Sequence, residues 1–204
     1  MELSAKKRIL LISGRAHTEL AEEVAALLEV DLIDANLSDF ANGEIYCKFA
    51  ESVRGGDVFI LQTHTGTADM SINDSIMEHL IMIDAAERAS AKRTTVVAPF
   101  YGYARQDRKV APRTPITSKL VADLLSAAGA SRVLSVDLHA GQIQGFFDIP
   151  FDHLFAKPVL LGHMREEFEN LDEAVIVSPD AGGVERARSY AKVLGMGLAI
   201  IDKR

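Results

Sequence analysis

Four short stretches concentrate the side chains that can handle charge. The first runs Phe100-Tyr101-Gly102-Tyr103-Ala104-Arg105-Gln106-Asp107-Arg108-Lys109, with Arg113 just beyond it. The others are Asp137-Leu138-His139, Ser178-Pro179-Asp180-Ala181-Gly182-Gly183 and Asp202-Lys203-Arg204. Each follows a β-branched, strand-like run, and in open α/β sheets chemistry sits just past the strand ends. Guanidinium and ammonium groups gathered in one loop match the needs of a polyphosphate. Asp137, His139 and Asp180 could offer oxygen and nitrogen ligands to a divalent ion. Mg²⁺ takes one or two protein ligands and leaves the rest to water and phosphate, so a sparse set suits Mg²⁺–nucleotide better than zinc. The bland readings stand beside these: a solvated basic loop, and a structural histidine at a strand end.

Other chemistries find little support. Neither G-x-x-x-x-G-K-[ST] nor G-x-G-x-x-G occurs, and no G-x-S-x-G elbow accompanies the serines. A hydrolase built on Asp137 and His139 lacks further ligands at workable spacing. His17 and His64 read as isolated among polar neighbours, and His79, on an apolar helix, as a packed or rim residue. His153 and His163 have no informative spacing. Cys47 is the single cysteine and reads as core, which excludes an intrachain disulfide and any Cys-rich zinc site.

The elements that must position these residues follow from hydrophobic pattern. With 204 residues, 48% hydrophobic and 25% charged, the chain can bury a sizeable core. A net charge of −7 argues against charge-driven binding to nucleic acid or membrane surfaces. The apolar runs are strand-sized, and Lys6-Lys7-Arg8 precedes no cleavage pattern, so a cytoplasmic protein is expected. Strands are expected at 8–13, 32–33, 45–49, 57–62, 94–99, 132–136, 174–177 and 198–201. Helical spacing links Leu20, Val24, Leu27 and Leu28, then residues 75–89, Leu120 to Leu125, and 182–194. Residues 63–74 read as a polar connection. This alternation predicts an α/β fold with a mostly parallel sheet and helices on both faces. A boundary is expected near Phe155 to Pro158, dividing the chain into 1–155 and 156–204.

Taken together, several motifs resemble one family. They are Phe40-Ala41-Asn42-Gly43-Glu44, Glu51-Ser52-Val53-Arg54-Gly55, Ala104-Arg105-Gln106-Asp107, Asp137-Leu138-His139, Gln142-Ile143-Gln144-Gly145-Phe146-Phe147-Asp148, Ser178-Pro179-Asp180-Ala181-Gly182-Gly183 and Asp202-Lys203-Arg204. In this order, from about residue 8 to the end, they resemble ribose-phosphate pyrophosphokinases.

The resemblance implies a phosphoribosyltransferase-like domain over 1–155 and the first part of a second such domain over 156–204. It implies transfer of the diphosphoryl group of Mg-ATP to the C1 hydroxyl of ribose 5-phosphate, releasing AMP. Phe40, Asn42 and Glu44 would hold adenine from a neighbouring subunit, while Arg105, Gln106 and Asp107 would serve ATP. His139 and Asp180 would help place Mg²⁺, with His139 and Lys203 catalytic. Ser52, Arg54, Lys109, Arg113 and Gln144 resemble a regulatory site for phosphate or ADP. The assembly implied is a homo-oligomer, a hexamer built from dimers. Three departures stand out. Val110 and Ala111 occupy positions charged in many relatives, residues 63–74 read as a longer connection, and the family's phosphoribosyl loop would follow Lys203. A catalytically silent regulatory subunit and an inactive fragment are the alternative readings.

Overall fold

The computed structural model describes residues 9–168 and 174–202. In chain order the strands are β1 (Ile9–Ser13), β2 (Leu32–Ile33), β3 (Ser38–Asp39), β4 (Ile45–Tyr46), β5 (Asp57–Leu61), β6 (Arg93–Ala98), β7 (Arg132–Val136), β8 (Phe151–Leu154), β9 (Val175–Ser178) and β10 (Gly197–Ile200). The helices are α1 (Thr18–Leu28), α2 (Ile72–Arg88), α3 (Thr117–Ala127), α4 (Lys157–Glu167) and α5 (Val184–Leu194). The chain divides into two compact units, Met1–Leu154 and Phe155–Arg204.

The first unit is built on a six-stranded sheet of order β2-β1-β5-β6-β7-β8. Every neighbouring pair in it is parallel. Parallel strands are buried on both faces, which is why these runs are nearly continuous in Val, Ile and Leu. One face carries Leu10, Ile12, Val58, Ile60, Val96 and Val133 against Ile76, Met82 and Ile83 of α2 and Val121 and Leu125 of α3. The opposite face carries Leu11, Phe59, Leu61, Val97, Leu134 and Val136, with Leu20, Val24 and Leu28 of α1. There the packing is open, leaving a cavity of about 440 Å³ with a wholly apolar lining. Chain order reverses between β1 and β5, which places a crevice at their carboxyl ends.

Local chemistry moves several expected boundaries. Helix α2 starts at Ile72 rather than 75, because Ser71 and Asp74 form a reciprocal capping box. The expected strand over 45–49 is paired only at Ile45 and Tyr46, against β3 in an antiparallel hairpin. Beyond it the backbone bonds elsewhere, Lys48 to Ala35 and Ala50 to Asp34. Strand β8 escapes sequence reading: it is four residues of mixed polarity directly after Pro150. Cys47 is half-buried and packs on the core, and burial pushes its thiol up to about 11.

In the second unit, β9 and β10 pair in parallel from Val175–Gly197 to Ser178–Ile200. Helix α5 makes the crossover, burying Ala187 and Ala191, and Gly195 ends it at φ 73° in the left-handed region. Among the described residues no helix is long and apolar enough to cross a membrane.

Candidate functional site

The loop after β6 is clamped before it becomes free. Tyr101 is buried, and its hydroxyl donates to the Ser118 carbonyl at 2.8 Å, tying the loop to α3. The Gly102 N–H donates to His64 Nδ1 at 3.1 Å. A Cβ at Gly102 would lie 2.9 Å from His64 Cβ and 3.0 Å from Ile76 Cδ1, so glycine is required by close approach. Tyr103 adopts φ 58°, and its hydroxyl donates to Asn73 Oδ1 at 2.5 Å. Beyond these anchors Arg105, Arg108, Lys109 and Arg113 are exposed. Among the described residues none of these cations has a carboxylate partner. Gln106 Oε1 accepts from Thr117 Oγ1, and Asp107 Oδ2 accepts from Gln142 Nε2 at 3.0 Å.

That last bond joins the β6 exit to the exit of its neighbour β7. There Asp137 takes φ 45° and its N–H bonds the Leu154 carbonyl at 2.9 Å. The Leu138 N–H donates to His153 Nε2 at 3.0 Å, so this ring braces the turn that presents exposed His139. His153 therefore has a structural task that its spacing did not reveal. Non-glycine residues at positive φ are rare and concentrate where a site over-determines the backbone. Tyr103, Arg113 (φ 66°) and Asp137 all fall in these two exits.

Beneath the β6 exit lies a buried histidine pair. His79 Nε2 faces the Ile60 carbonyl at 3.2 Å and must carry hydrogen, so its Nδ1 accepts from His64 Nε2 at 3.1 Å. Both rings are fully buried and neutral; desolvation lowers His64 to about 4 and drives His79 well below its ordinary range. This corrects the reading of His64 as isolated, and of the two alternatives for His79, packed or rim, the structure shows the packed one.

A second network, at the β1–β5 crevice, has members too far apart in sequence to be read there. Glu78 of α2 is fully buried. Its Oε1 accepts the Arg15 backbone N–H at 2.7 Å and Gln62 Nε2 at 2.8 Å, and its Oε2 accepts Arg15 Nε at 2.5 Å. Gln62 Oε1 in turn accepts the Ala16 N–H at 3.1 Å. A Cβ at Gly14 would come within 2.4 Å of the Gln62 amide, so a side chain there would push that amide off its bonds to Ala16 and Glu78. The two Nη atoms of Arg15 grip Asp39 at 2.7 and 2.9 Å. That pairing holds Arg15 more firmly protonated and Asp39 below its usual carboxylate range. The one readable signal was Glu78 itself, a carboxylate on the apolar helix Ile76 to Ile83.

Asp39 opens the β3–β4 hairpin whose turn holds Phe40, Asn42 and Glu44. The turn closes by Phe40 N–H to the Glu44 carbonyl at 2.8 Å, Glu44 N–H to Asn42 Oδ1 at 3.2 Å, and Gly43 at φ 88°. Phe40 is 55% exposed, and its ring meets that of Tyr46 edge-on with centroids 6.0 Å apart.

The remaining expected residues are dispersed. Arg54 precedes Gly55, whose N–H bonds Ser90 just before β6, so Arg54 and nearby Ser52 approach the amino end of the sheet. Lys109 and Arg113 leave its carboxyl end, about a strand length (~17 Å) away. Gln144 lies in a short 3₁₀ segment and donates to the Gly141 carbonyl at 2.9 Å. In the second unit Asp180 Oδ1 accepts the Gly183 N–H at 2.9 Å, and Ser178 Oγ donates to the Asp180 carbonyl at 2.7 Å. Lys203 lies outside the described residues.

A family model described as the N-terminal domain of ribose phosphate pyrophosphokinase matches residues 9–129, which hold β1 through α3. The chain belongs to this family. Curated ribose-phosphate pyrophosphokinases from Maricaulis maris and Corynebacterium glutamicum are 55% and 54% identical to it over 194 and 190 residues, or 95% and 93% of the chain. A crystal structure of phosphoribosylpyrophosphate synthetase from Mycobacterium smegmatis superimposes with a TM-score of 0.89 at 52% identity, covering 97% of this chain and 65% of that one. The family fold is thus the parallel α/β sheet described above. The chain spans 57% to 61% of the length of these curated relatives.

Proposed function

We propose that the protein carrying this chain is a cytoplasmic ribose-phosphate diphosphokinase. The C1 hydroxyl oxygen of ribose 5-phosphate attacks the β-phosphorus of ATP and gives up its proton to solvent, the bond from that phosphorus to the α–β bridging oxygen breaks, and AMP leaves with that oxygen. The products are phosphoribosyl pyrophosphate and AMP. The carrying observation is the set of cations in 105–113 without carboxylate partners among the described residues, clamped at its base and joined through Asp107 to the exit that displays His139. Diphosphoryl transfer asks for positioning and cationic charge rather than covalent participation by the protein.

In this reading Arg105 and Gln106 bind the triphosphate, Asp107 holds the two exits in register, and Phe40, Asn42 and Glu44 receive the adenine of a neighbouring copy. His139 and Asp180 orient the metal–nucleotide, and Lys203 closes on the charge that develops during transfer. Among the described residues no three His, Cys, Asp or Glu side chains form a metal cage. One imidazole and one carboxylate, His139 and Asp180, would fit Mg²⁺ completed by phosphate and water oxygens. When bound, that ion supplies charge neutralisation on the polyphosphate. The second unit is read as the opening of a second phosphoribosyltransferase-like domain. Ser52, Arg54, Lys109, Arg113 and Gln144 form the regulatory phosphate or ADP site. Because Arg54 and Arg113 sit toward opposite ends of one sheet, they share a ligand only across copies, which supports a homo-oligomer; the family resemblance makes it a hexamer built from dimers.

The test is phosphorus NMR of the natural protein with ATP, Mg²⁺ and ribose 5-phosphate. AMP and phosphoribosyl pyrophosphate should appear in equal amounts. ADP as the nucleotide product would replace this reading with a monophosphoryl kinase.

A further inference from the structure

We propose that Arg15 is a positioning residue for nucleotide recognition: buried Glu78 fixes it, and its two-pronged grip on Asp39 aims the 40–44 turn. The inference rests on the reading of that turn as the adenine contact. Its geometry stands apart from that reading, because hairpin β3–β4 has only four paired residues and three of them, Ser38, Asp39 and Tyr46, are exposed. Leu37, Cys47 and Phe49 pack the base of the hairpin on the core, but two paired residues on each strand are marginal in water, so the tip beyond that base needs a further hold on its direction. Among the described residues the hairpin's ion-pair link to the sheet is Asp39 to Arg15.

Arg15 suits that task for a specific reason. Its guanidinium is planar, so fixing one edge fixes the other. Nε and the backbone N–H both end on the Glu78 carboxylate, which Gln62 braces from the opposite side. The Nη edge is then presented to Asp39 in one orientation, and a carboxylate received on two parallel bonds is held in angle as well as distance. Phe40 and its exposed ring come next along the chain. The relay thus runs from the β1–β5 crevice to a turn whose own residues contribute no buried anchor. Lysine at position 15 would keep the charge and lose the fork.

The decisive variant is Asp39→Asn, an exposed change that leaves Glu78, Gln62 and the core untouched. Two readouts are taken on the natural protein. Amide hydrogen exchange over 38–46 should accelerate about tenfold while the β5 and β6 amides keep their protection. ATP affinity should fall about tenfold, whereas affinity for inorganic tripolyphosphate, which has no base to place, should be unchanged. Arg15→Lys should follow Asp39→Asn in both respects. Unchanged exchange at 38–46 overturns the relay whatever happens to ATP. Equal weakening of ATP and tripolyphosphate also overturns it, since the turn would then serve the phosphates or the fold at large. If the parent protein binds ATP no better than tripolyphosphate, the adenine reading fails; faster exchange in the variant would then still support Arg15 as the hairpin's anchor.

Discussion

The carboxyl end of the sheet handles charge in two opposite ways. At the β1 and β5 exits the charges are answered: Glu78 by Arg15 and Gln62, Arg15 by Glu78 and Asp39. On the next strand, at the β6 exit, Arg105, Arg108, Lys109 and Arg113 stand in solvent without carboxylate partners among the described residues. The first arrangement resists change because a buried carboxylate is tolerable only while its partners stay in place. The second leaves cations available, and they repel one another until something anionic arrives. A structural device and a receptive site can be told apart by whether the charges are already matched.

Removing the matched partner should have the largest effect. Glu78→Ala strands the Arg15 backbone N–H and the Gln62 amide at a dry crossing, and should cost about 3 kcal/mol in urea unfolding. A loss below about 1 kcal/mol would mean that the crevice is wetter than its geometry implies.

Acid should come next. The folded His64 titrates near 4 against 6.5 for an ordinary histidine, so between those values the unfolded chain takes up a proton that the folded chain refuses. Stability is therefore complete above about pH 6.5 and falls as pH drops toward 4. By pH 5 the loss from His64 alone should be about 2 kcal/mol. His64→Asn offers Oδ1 to the Gly102 N–H and should remove the His64 share of this slope, leaving that of buried His79. An equally steep decline in that variant would assign the acid sensitivity elsewhere.

The unmatched loop should show the smallest effect on folding. Arg105→Ala is expected to change stability by less than about 0.5 kcal/mol. In the proposed role the same change should weaken ATP binding at least tenfold by calorimetry. A destabilised variant with unaltered ATP affinity would place this arginine among the matched charges.

What the sequence made legible follows the same division. The strands of the sheet announced themselves because burial on two faces demands unbroken β-branched runs. The receptive loop was visible because Arg105, Arg108, Lys109 and Arg113 are neighbours in sequence. The relay was not, since Arg15, Asp39, Gln62 and Glu78 are brought together by three different crossings of the fold. Strand β8 hid because Asp152 and His153 interrupt its apolar pattern, although His153 braces the Leu138 turn. The early start of α2 was legible in principle, as Ser71-x-x-Asp74 is a capping signal, but apolar periodicity begins only afterwards.

Left-handed Asp137 and Arg113 have a consequence for anyone selecting variants of this protein by abundance. Glycine at either position would remove a Cβ conflict of about 1 kcal/mol and return a similar amount as added chain freedom. A selection that counts only surviving molecules would therefore pass both changes as silent. Their harm would be to the aim of the two exits, and a screen sees it only when the molecules must also catch something.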